Sequence, residues 1–423
     1  VSSALEKVGS EFHVASHSTN AQNRANHHGR QSEISAPVLV QTKQEFHKML
    51  THLANQPLLA VDTESDSLFR YTPRVCLIQI SAPAAEGKSQ GDGMVDYLVD
   101  PLSLHSLDAL GELMAQPEVE VIMHAAENDI LILQRDFGFT LNNLFDTQLA
   151  ARILGRQGVG LARMLEEEFG VISDKRMQRT DWGRRPLTPQ QMTYAQIDTH
   201  YLSELRQRQI ESLQAVSRWE EAQEAFLMLE LVQYEEGDGR SVWTMKGTKE
   251  LALNQMGMLE ELWLWREKTA ERMDRPPFKV LQDHVLVALT NRKPRQLSEL
   301  ANIPGLSKHA ADRYGPELLR AVERGHDRSI PRPPEPKPRP EQHLTDQEQD
   351  LYHVLRQWRS EMAQRRGTDP DLVFTNDLLV QLIELKPQRI EEFTQITGIG
   401  PWKAKTYGPM LIELIRQYTP QAG

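Results

Sequence analysis

The sequence predicts an α/β domain with a mixed central sheet, followed by a wholly helical region built from a repeated unit. Between residues 37 and 212 short apolar runs alternate with helical patterns, and after 212 the strand signals stop. Within the helical part, four motifs recur at one spacing. Trp265-Arg266 returns as Trp358-Arg359, Lys293-Pro294 as Lys386-Pro387, Gly305 as Gly398, and Tyr314-Gly315-Pro316 as Tyr407-Gly408-Pro409, each displaced by 93 residues (358 − 265). Apolar positions keep the same offset: Leu286 with Leu379, Leu289 with Leu382, Ile303 with Ile396, Leu319 with Ile412. A constant offset across independent motifs marks two copies of one helical module.

Taken in order, residues 1–36 are rich in Ser, Asn, His and Gln without a period, which predicts a disordered tail in which His27 and His28 are solvated. Strands are expected at 37–41, 57–63, 74–81, 95–100 and 119–124, and helices at 43–54, 103–116, 127–136, 146–154, 159–169 and 189–212. "AAEGKSQGDG" (84–93) reads as a hairpin loop. The early, closely spaced strands suggest antiparallel pairing, and the later ones, separated by helices, parallel crossovers. These patterns divide the chain into an α/β domain at 37–212, a helical connector at 213–256, modules at 257–325 and 344–420, and a Pro-rich spacer at 326–343 between them. The turns "IPGLS" and "ITGIG" either join packed helices or present backbone N–H groups to a phosphate, and both readings stay open.

Composition narrows the class. With 39% hydrophobic and 25% charged residues over 423 positions, no apolar run approaches a membrane span, and "VSSALEKVGS" lacks the apolar core of a secretory signal. One cysteine, Cys76, excludes an internal disulfide framework and a multi-cysteine zinc site. It lies in the strand-like "RVCLIQIS" as a packed small hydrophobe, and a reducing cytoplasm is the expected compartment. The net charge of −11 argues against a basic nucleic-acid coat, while leaving room for a nucleic-acid enzyme with local basic residues.

Chemistry concentrates in three places. In "QPLLAVDTESDS" an apolar strand ends in Asp62 and Glu64, which alternation places on one face. Two like charges there need a cation, basic partners or exposure. In "EVIMHAAENDILILQRDFG" a strand reaches His124 and a helix then carries Asp129 just beyond the strand end, the edge where open α/β sheets place their sites. In "PLTPQQMTYAQIDTHYLSELRQ" Thr188 is an N-cap and Pro189 fits the first helical position. Tyr194, Asp198, Tyr201, Leu202 and Leu205 then form one stripe, so Asp198 sits on an inward, apolar face beside Tyr194. Four carboxylates without a cysteine cluster favour hard cations such as Mg²⁺ or Mn²⁺. A pair of such ions suits in-line phosphoryl displacement.

These motifs resemble those of the ribonuclease D family, within the DEDD 3′→5′ exonuclease superfamily, tyrosine subtype. "VDTES" resembles its first motif, "HAAENDI" its second and "YAQID" its third, and "FDTQLAARILG" (145–155) and "RTDWGRRPLT" (179–188) are similar to further family segments. The repeated module resembles the HRDC domain. The likeness runs from about residue 37 to 418; the N-terminal tail and the 84–93 loop depart from it without touching the carboxylates. It implies a ribonuclease-H-like exonuclease domain with helices on both faces of a mixed sheet, followed by two all-α HRDC domains. It also implies two divalent metal ions, Mg²⁺ or Mn²⁺. Asp62, Glu64 and Asp198 would hold the ion that activates the attacking water; Asp62, with Asp129 partly through waters, would hold the ion on the leaving oxygen. Tyr194 would position the water.

The resemblance further implies substrate contacts near Thr63, with Glu64 and Gln79 at the terminal nucleotide. His124 is a candidate phosphate contact or a core histidine. "KRMQRTDWGRR" (175–185) joins five basic residues to Trp182, which suits a single-stranded backbone and a stacked base. The expected activity is release of nucleoside 5′-monophosphates from RNA 3′ ends, with tRNA precursors as substrate and a monomeric enzyme. Two alternatives remain: a DNA 3′→5′ exonuclease, and a catalytically silent nucleic-acid-binding scaffold, which the intact carboxylate set disfavours.

Overall fold

In the computed structural model the described residues are 34–84, 93–235, 241–326, 328, 331 and 344–418. The expected tail, most of the 84–93 loop and most of the Pro-rich spacer lie outside them.

Six strands, β1 (Val38–Val40), β2 (Leu58–Ser65), β3 (Val75–Pro83), β4 (Met94–Val99), β5 (Glu120–Met123) and β6 (Leu144–Asp146), form one sheet in the order β1-β4-β3-β2-β5-β6. The middle pairs β2–β3 and β3–β4 are antiparallel, and β2–β5 and β5–β6 are parallel. β1 departs from the expected early antiparallel pairing, because helix α1 (Lys43–Leu53) carries the chain across the sheet and leaves β1 parallel to β4. β6 was not expected; with three residues it is too short to show a period.

One face of the sheet buries Leu59, Val61, Ile78, Ile80, Val99 and Val121 under α1, α2 (Asp108–Met114) and α3 (Glu127–Phe137). The other face divides in two. Ala60, Ile122 and Phe145 pack against α4 (Thr147–Ile153), α5 (Leu161–Phe169), α7 (Leu202–Ala215) and α8 (Trp219–Glu230). Cys76, Leu77 and Leu98 pack against Trp182 and helix α6 (Pro189–His200). Burial pushes the Cys76 thiol up to about 12, as a packed hydrophobe requires. The single helix expected over 189–212 is broken: α6 ends at Tyr201, which begins α7. α8, within the expected connector, belongs to the core of the α/β domain, where Phe226 lies 4.7 Å from Phe145.

The two modules repeat element by element. α9 (Met256–Arg272), α10 (Pro277–Val280), α11 (Asp283–Arg292) and α12 (Lys308–His326) correspond to α13 (Asp346–Arg366), α14 (Pro370–Val373), α15 (Asn376–Leu385) and α16 (Pro401–Tyr418). Lys293 and Lys386 both end a helix at positive φ, +49° and +48°. The conserved arginine explains itself in each copy. Arg266 Nη1 donates to Leu281 O and Asp283 Oδ1, and Arg359 Nη1 donates to Phe374 O and Asn376 Oδ1, partners 93 residues apart (374 − 281). A buried guanidinium thus satisfies the carbonyl left open where α10 or α14 ends.

Each module also docks on the α/β domain. The first grips the segment after β2: Arg70 pairs with Asp274, Lys279 Nζ lies 4.0 Å over the Phe69 ring, and Tyr71 packs on the module's core. The second meets α4 and α8: Arg152 pairs with Asp369 and Asp371, Arg366 pairs with Glu221, and Glu224 Oε2 accepts from Trp402 N at 2.7 Å. Directly after the turn "ITGIG", the first N–H groups of α16, those of Trp402 and Lys403, are thus taken by an internal carboxylate. In "IPGLS", Ser307 Oγ accepts from Ala310 N.

The buried arginine yields a stability test. Arg359→Ala strands the Phe374 carbonyl and is expected to lower the unfolding free energy by about 2–3 kcal/mol. Exposed Arg365→Ala should leave it within about 0.5 kcal/mol; urea denaturation of the full chain reads both.

Candidate active site

β5 pairs with β2 only from Leu58 to Ala60, so the last residues of β2 run on past the end of β5. Asp62 and Glu64 occupy this overhang, where the backbone can carry charge without burying it in the sheet centre. The β2–β3 register shifts between Glu64 and Ser65, which bends the strand directly after the second carboxylate. α6 crosses above the same face with Asp198 buried on its underside. One carboxylate oxygen each from Asp62, Glu64 and Asp198 lie within 4.8 Å of one another.

α6 is held in place by a buried polar network. Asp96 on β4 accepts from Ser81 Oγ at 2.6 Å and Gln196 Nε2 at 2.6 Å, and its Oδ2 lies 2.8 Å from His200 Nδ1. Ser81 Oγ lies 2.7 Å from Thr199 Oγ1. At the other end, Thr188 and Gln191 form a capping box, and Gln191 Nε2 donates to Thr180 Oγ1 at 3.2 Å. Between these anchors, α6 carries Tyr194 one turn before Asp198, with its ring 6.1 Å from that of Trp182.

Asp129, at the start of α3, stands beside the three-carboxylate group rather than in it. Thr63 Oγ1 donates to its Oδ1, which commits the Thr63 hydroxyl to aiming Asp129 instead of a nucleotide. The turn before α3 is tied down by Asp146, whose Oδ2 accepts from Ala126 N at 2.7 Å and whose Oδ1 caps α4 through Gln148 N and Leu149 N, both at 2.8 Å. Asp146 and Asp96 were not singled out from sequence. An Asp opening a helix at "DTQL" was the available signal for the first; nothing local marked Asp96.

Among the described residues no lysine or arginine pairs with the four carboxylates. Burial, then the charges of Asp129, Asp198 and Glu64, push Asp62 well above the usual carboxylate range. Burial and the charges of Asp198 and Asp129 raise Glu64 to about 9. Burial lifts Asp198 to about 7 against the Tyr194 hydrogen bond, and lifts Asp129 to about 6 against the one from Thr63. The Tyr194 hydroxyl is raised by burial and by Asp198 and Glu64, so it stays a donor. An all-oxygen donor set with uncompensated negative charge is that of a divalent-cation site.

Two expected substrate contacts are corrected. Trp182 is 1% exposed and packs 6.1 Å from the Tyr194 ring, so it braces Tyr194 and cannot stack a base. Gln79 is fully buried and cannot touch a nucleotide. His124 is half-buried, with Nδ1 2.9 Å from Thr147 Oγ1 and burial holding its pKa below the ordinary value. Of the basic residues at 175–185, Arg176 pairs with Asp174 and Arg185 with Asp100, while Lys175, Arg179 and Arg184 are exposed with no ion pair among the described residues.

The raised pKa values carry a sign. Each carboxyl favours the folded state while protonated, and that contribution is lost as pH rises from the ordinary carboxylate range through the folded values of about 6, about 7 and about 9. In chelator, Tm should fall between about pH 5 and about pH 9, and added Mg²⁺ or Mn²⁺ should reverse the fall. Asp62→Asn should flatten both effects. A cation-indifferent Tm would contradict the charge arrangement.

Comparison with known proteins identifies the family. The family model described as 3′–5′ exonuclease matches residues 37–213, and the HRDC domain model matches 255–322 and 348–415. Ribonuclease D of Desulfotalea psychrophila is 28% identical over 82% of this chain and 90% of its own. Ribonuclease D of Pseudomonas paraeruginosa is 30% identical over 78% and 84%. The crystal structure of Escherichia coli RNase D, 24% identical, covers 91% of this chain and all of its own with a TM-score of 0.61, and shares the fold. The chain belongs to the ribonuclease D family and is a 3′→5′ exoribonuclease.

Proposed function

We propose that the enzyme shortens single-stranded 3′ tails of structured RNA, tRNA precursors foremost, using a pair of divalent cations, Mg²⁺ or Mn²⁺. The observation that carries this reading is the convergence of Asp62, Glu64 and Asp198 oxygens within 4.8 Å, with Tyr194 one helical turn before Asp198 on α6. Asp62, Glu64 and Asp198 would hold one cation, and Asp62 with Asp129 the other. Such cations, when bound, neutralise the phosphate and favour ionisation of water.

The chain's own groups supply the positioning. The Tyr194 hydroxyl, kept protonated, orients the attacking water by a hydrogen bond, and the Trp182 ring packs beside the Tyr194 ring. Glu64 is half-buried at the strand end, where it can also accept from the terminal 3′-OH. Water attacks phosphorus in line, the bond to the 3′ oxygen breaks, and that oxygen leaves as the new 3′-OH of the shortened RNA. The released nucleotide keeps the 5′-phosphate. Lys175, Arg179 and Arg184 suit the incoming phosphate backbone. A monomer working in a reducing cytoplasm belongs to the same proposal, which the single buried cysteine supports.

The test uses a structured RNA with a 3′ tail, labelled at its 5′ end, beside a matched DNA. Wild type with Mg²⁺ or Mn²⁺ should give a one-nucleotide ladder on RNA that chelator abolishes. Asp62→Asn should lower cleavage by about a thousandfold or more, since an amide binds these ions poorly. Tyr194→Phe should lower kcat about ten- to hundredfold with an unchanged Tm. Equal rates on DNA would remove the RNA specificity, and persistent cleavage by Asp62→Asn would remove the site assignment.

A further inference from the structure

Gln79 poses a problem that the reaction as described leaves unsolved. It lies on β3, fully buried, and neither Oε1 nor Nε2 has a hydrogen-bond partner among the described residues. A primary amide in that state costs several kcal/mol, and a leucine would fill the space without the penalty.

The register shows what surrounds it. Gln79 is directly opposite Asp62 on β2 and opposite Leu98 on β4. Directly opposed residues of an antiparallel pair point to the same face, with Cβ atoms roughly 5 Å apart. On that face its neighbours along β3 are Leu77 and Ser81. Leu77 and Leu98 are apolar and pack with Tyr194 and Ala195 of α6, which covers the face. The Ser81 hydroxyl is already engaged by Asp96 and Thr199. Of its four strand neighbours, only Asp62 has a polar group left to offer.

We propose that Gln79 is a positioning residue: its buried amide donates through Nε2 to the Asp62 carboxylate when that carboxylate is loaded with cations, and so fixes its orientation. This inference rests on the reading of Asp62 as a cation ligand. Gln79 touches neither the nucleotide nor the attacking water; it acts through Asp62.

The experiment compares wild type, Gln79→Leu, Gln79→Met and Asp62→Asn as full chains on the tailed RNA. It measures kcat, KM, the Mg²⁺ concentration for half-maximal rate, and Tm in chelator. Both Gln79 variants should lower kcat about ten- to hundredfold, the size of one charge-assisted hydrogen bond. They should also raise the Mg²⁺ requirement, with KM for RNA within about twofold. Their Tm in chelator should be equal to wild type or higher, which a merely structural amide would not allow. Two apolar side chains of different shape keep the result independent of packing at one of them. Wild-type kcat and Mg²⁺ requirement in both variants, or a Tm lowered in both, would overturn the inference. If Asp62→Asn is inactive while both Gln79 variants are fully active, only the role of Gln79 fails. If Asp62→Asn is active, the reading of the site fails first.

Discussion

Mutual repulsion among carboxylates is the constraint around which the exonuclease domain is arranged. Asp62, Glu64 and Asp198 come from a strand and a helix that would separate if they answered only to each other's charge, and Asp129 adds a fourth charge close by. Apolar packing supplies the opposing force. Tyr194 and Ala195 on α6 are buried against Cys76, Leu77 and Leu98 of the sheet, with Trp182 filling the space beside them. Burying a side chain of that size contributes about 1.5–3 kcal/mol. Several together can hold charges at a spacing they would not choose. The site is consequently incomplete without a cation, and the fold stores the cost of that incompleteness.

Apolar packing fixes the distance of α6 from the sheet but not its rotation or slide, because dispersion is not directional. Directional bonds finish the work. Asp96 takes three side-chain partners, from β3 and from positions 196 and 200 of α6, all in the buried region. A slip of α6 by one residue would carry Asp198 out of the cluster and would also break this network. Asp146 plays the same part for Asp129, joining the turn after β5 to the first turn of α4. The carboxylates that could bind cations are thus set by carboxylates that cannot, since Asp96 and Asp146 spend their lone pairs on the protein.

The sequence was most legible where a pattern repeats or where a charge sits against the grain. The 93-residue offset located both helical modules because packing around Arg266 and Arg359 demands the same residues twice. Asp62, Glu64 and Asp198 stood out because each interrupts an apolar strand or stripe. The misreadings concern features decided by tertiary contact. Trp182 lies among basic residues in the chain, yet folding turns its ring inward against Tyr194. The stripe from Tyr194 to Leu205 is continuous in sequence, but Tyr201 ends one helix and starts the next. Asp96 carries no local signal, since its partners come from 15 to 104 residues away.

The repeated modules differ both within themselves and where they meet the rest of the protein. Position 317 is Glu, bonded to Trp265 Nε1, and its counterpart 410 is Met, beside Trp358 Nε1. The second module surrenders the N–H groups opening α16 to Glu224, whereas the first caps the matching turn with its own Ser307. The first module in turn grips Arg70 and Phe69, only a few residues beyond Glu64 on the same stretch of chain. With a net charge of −11, the molecule repels RNA at long range, so attraction must be local. Cations bound at the carboxylate cluster would offset the negative charge where the proposed reaction brings the 3′ end. The same ions that would serve the chemistry also make the approach of the substrate favourable, which ties binding of the terminal phosphate to the loading of the site.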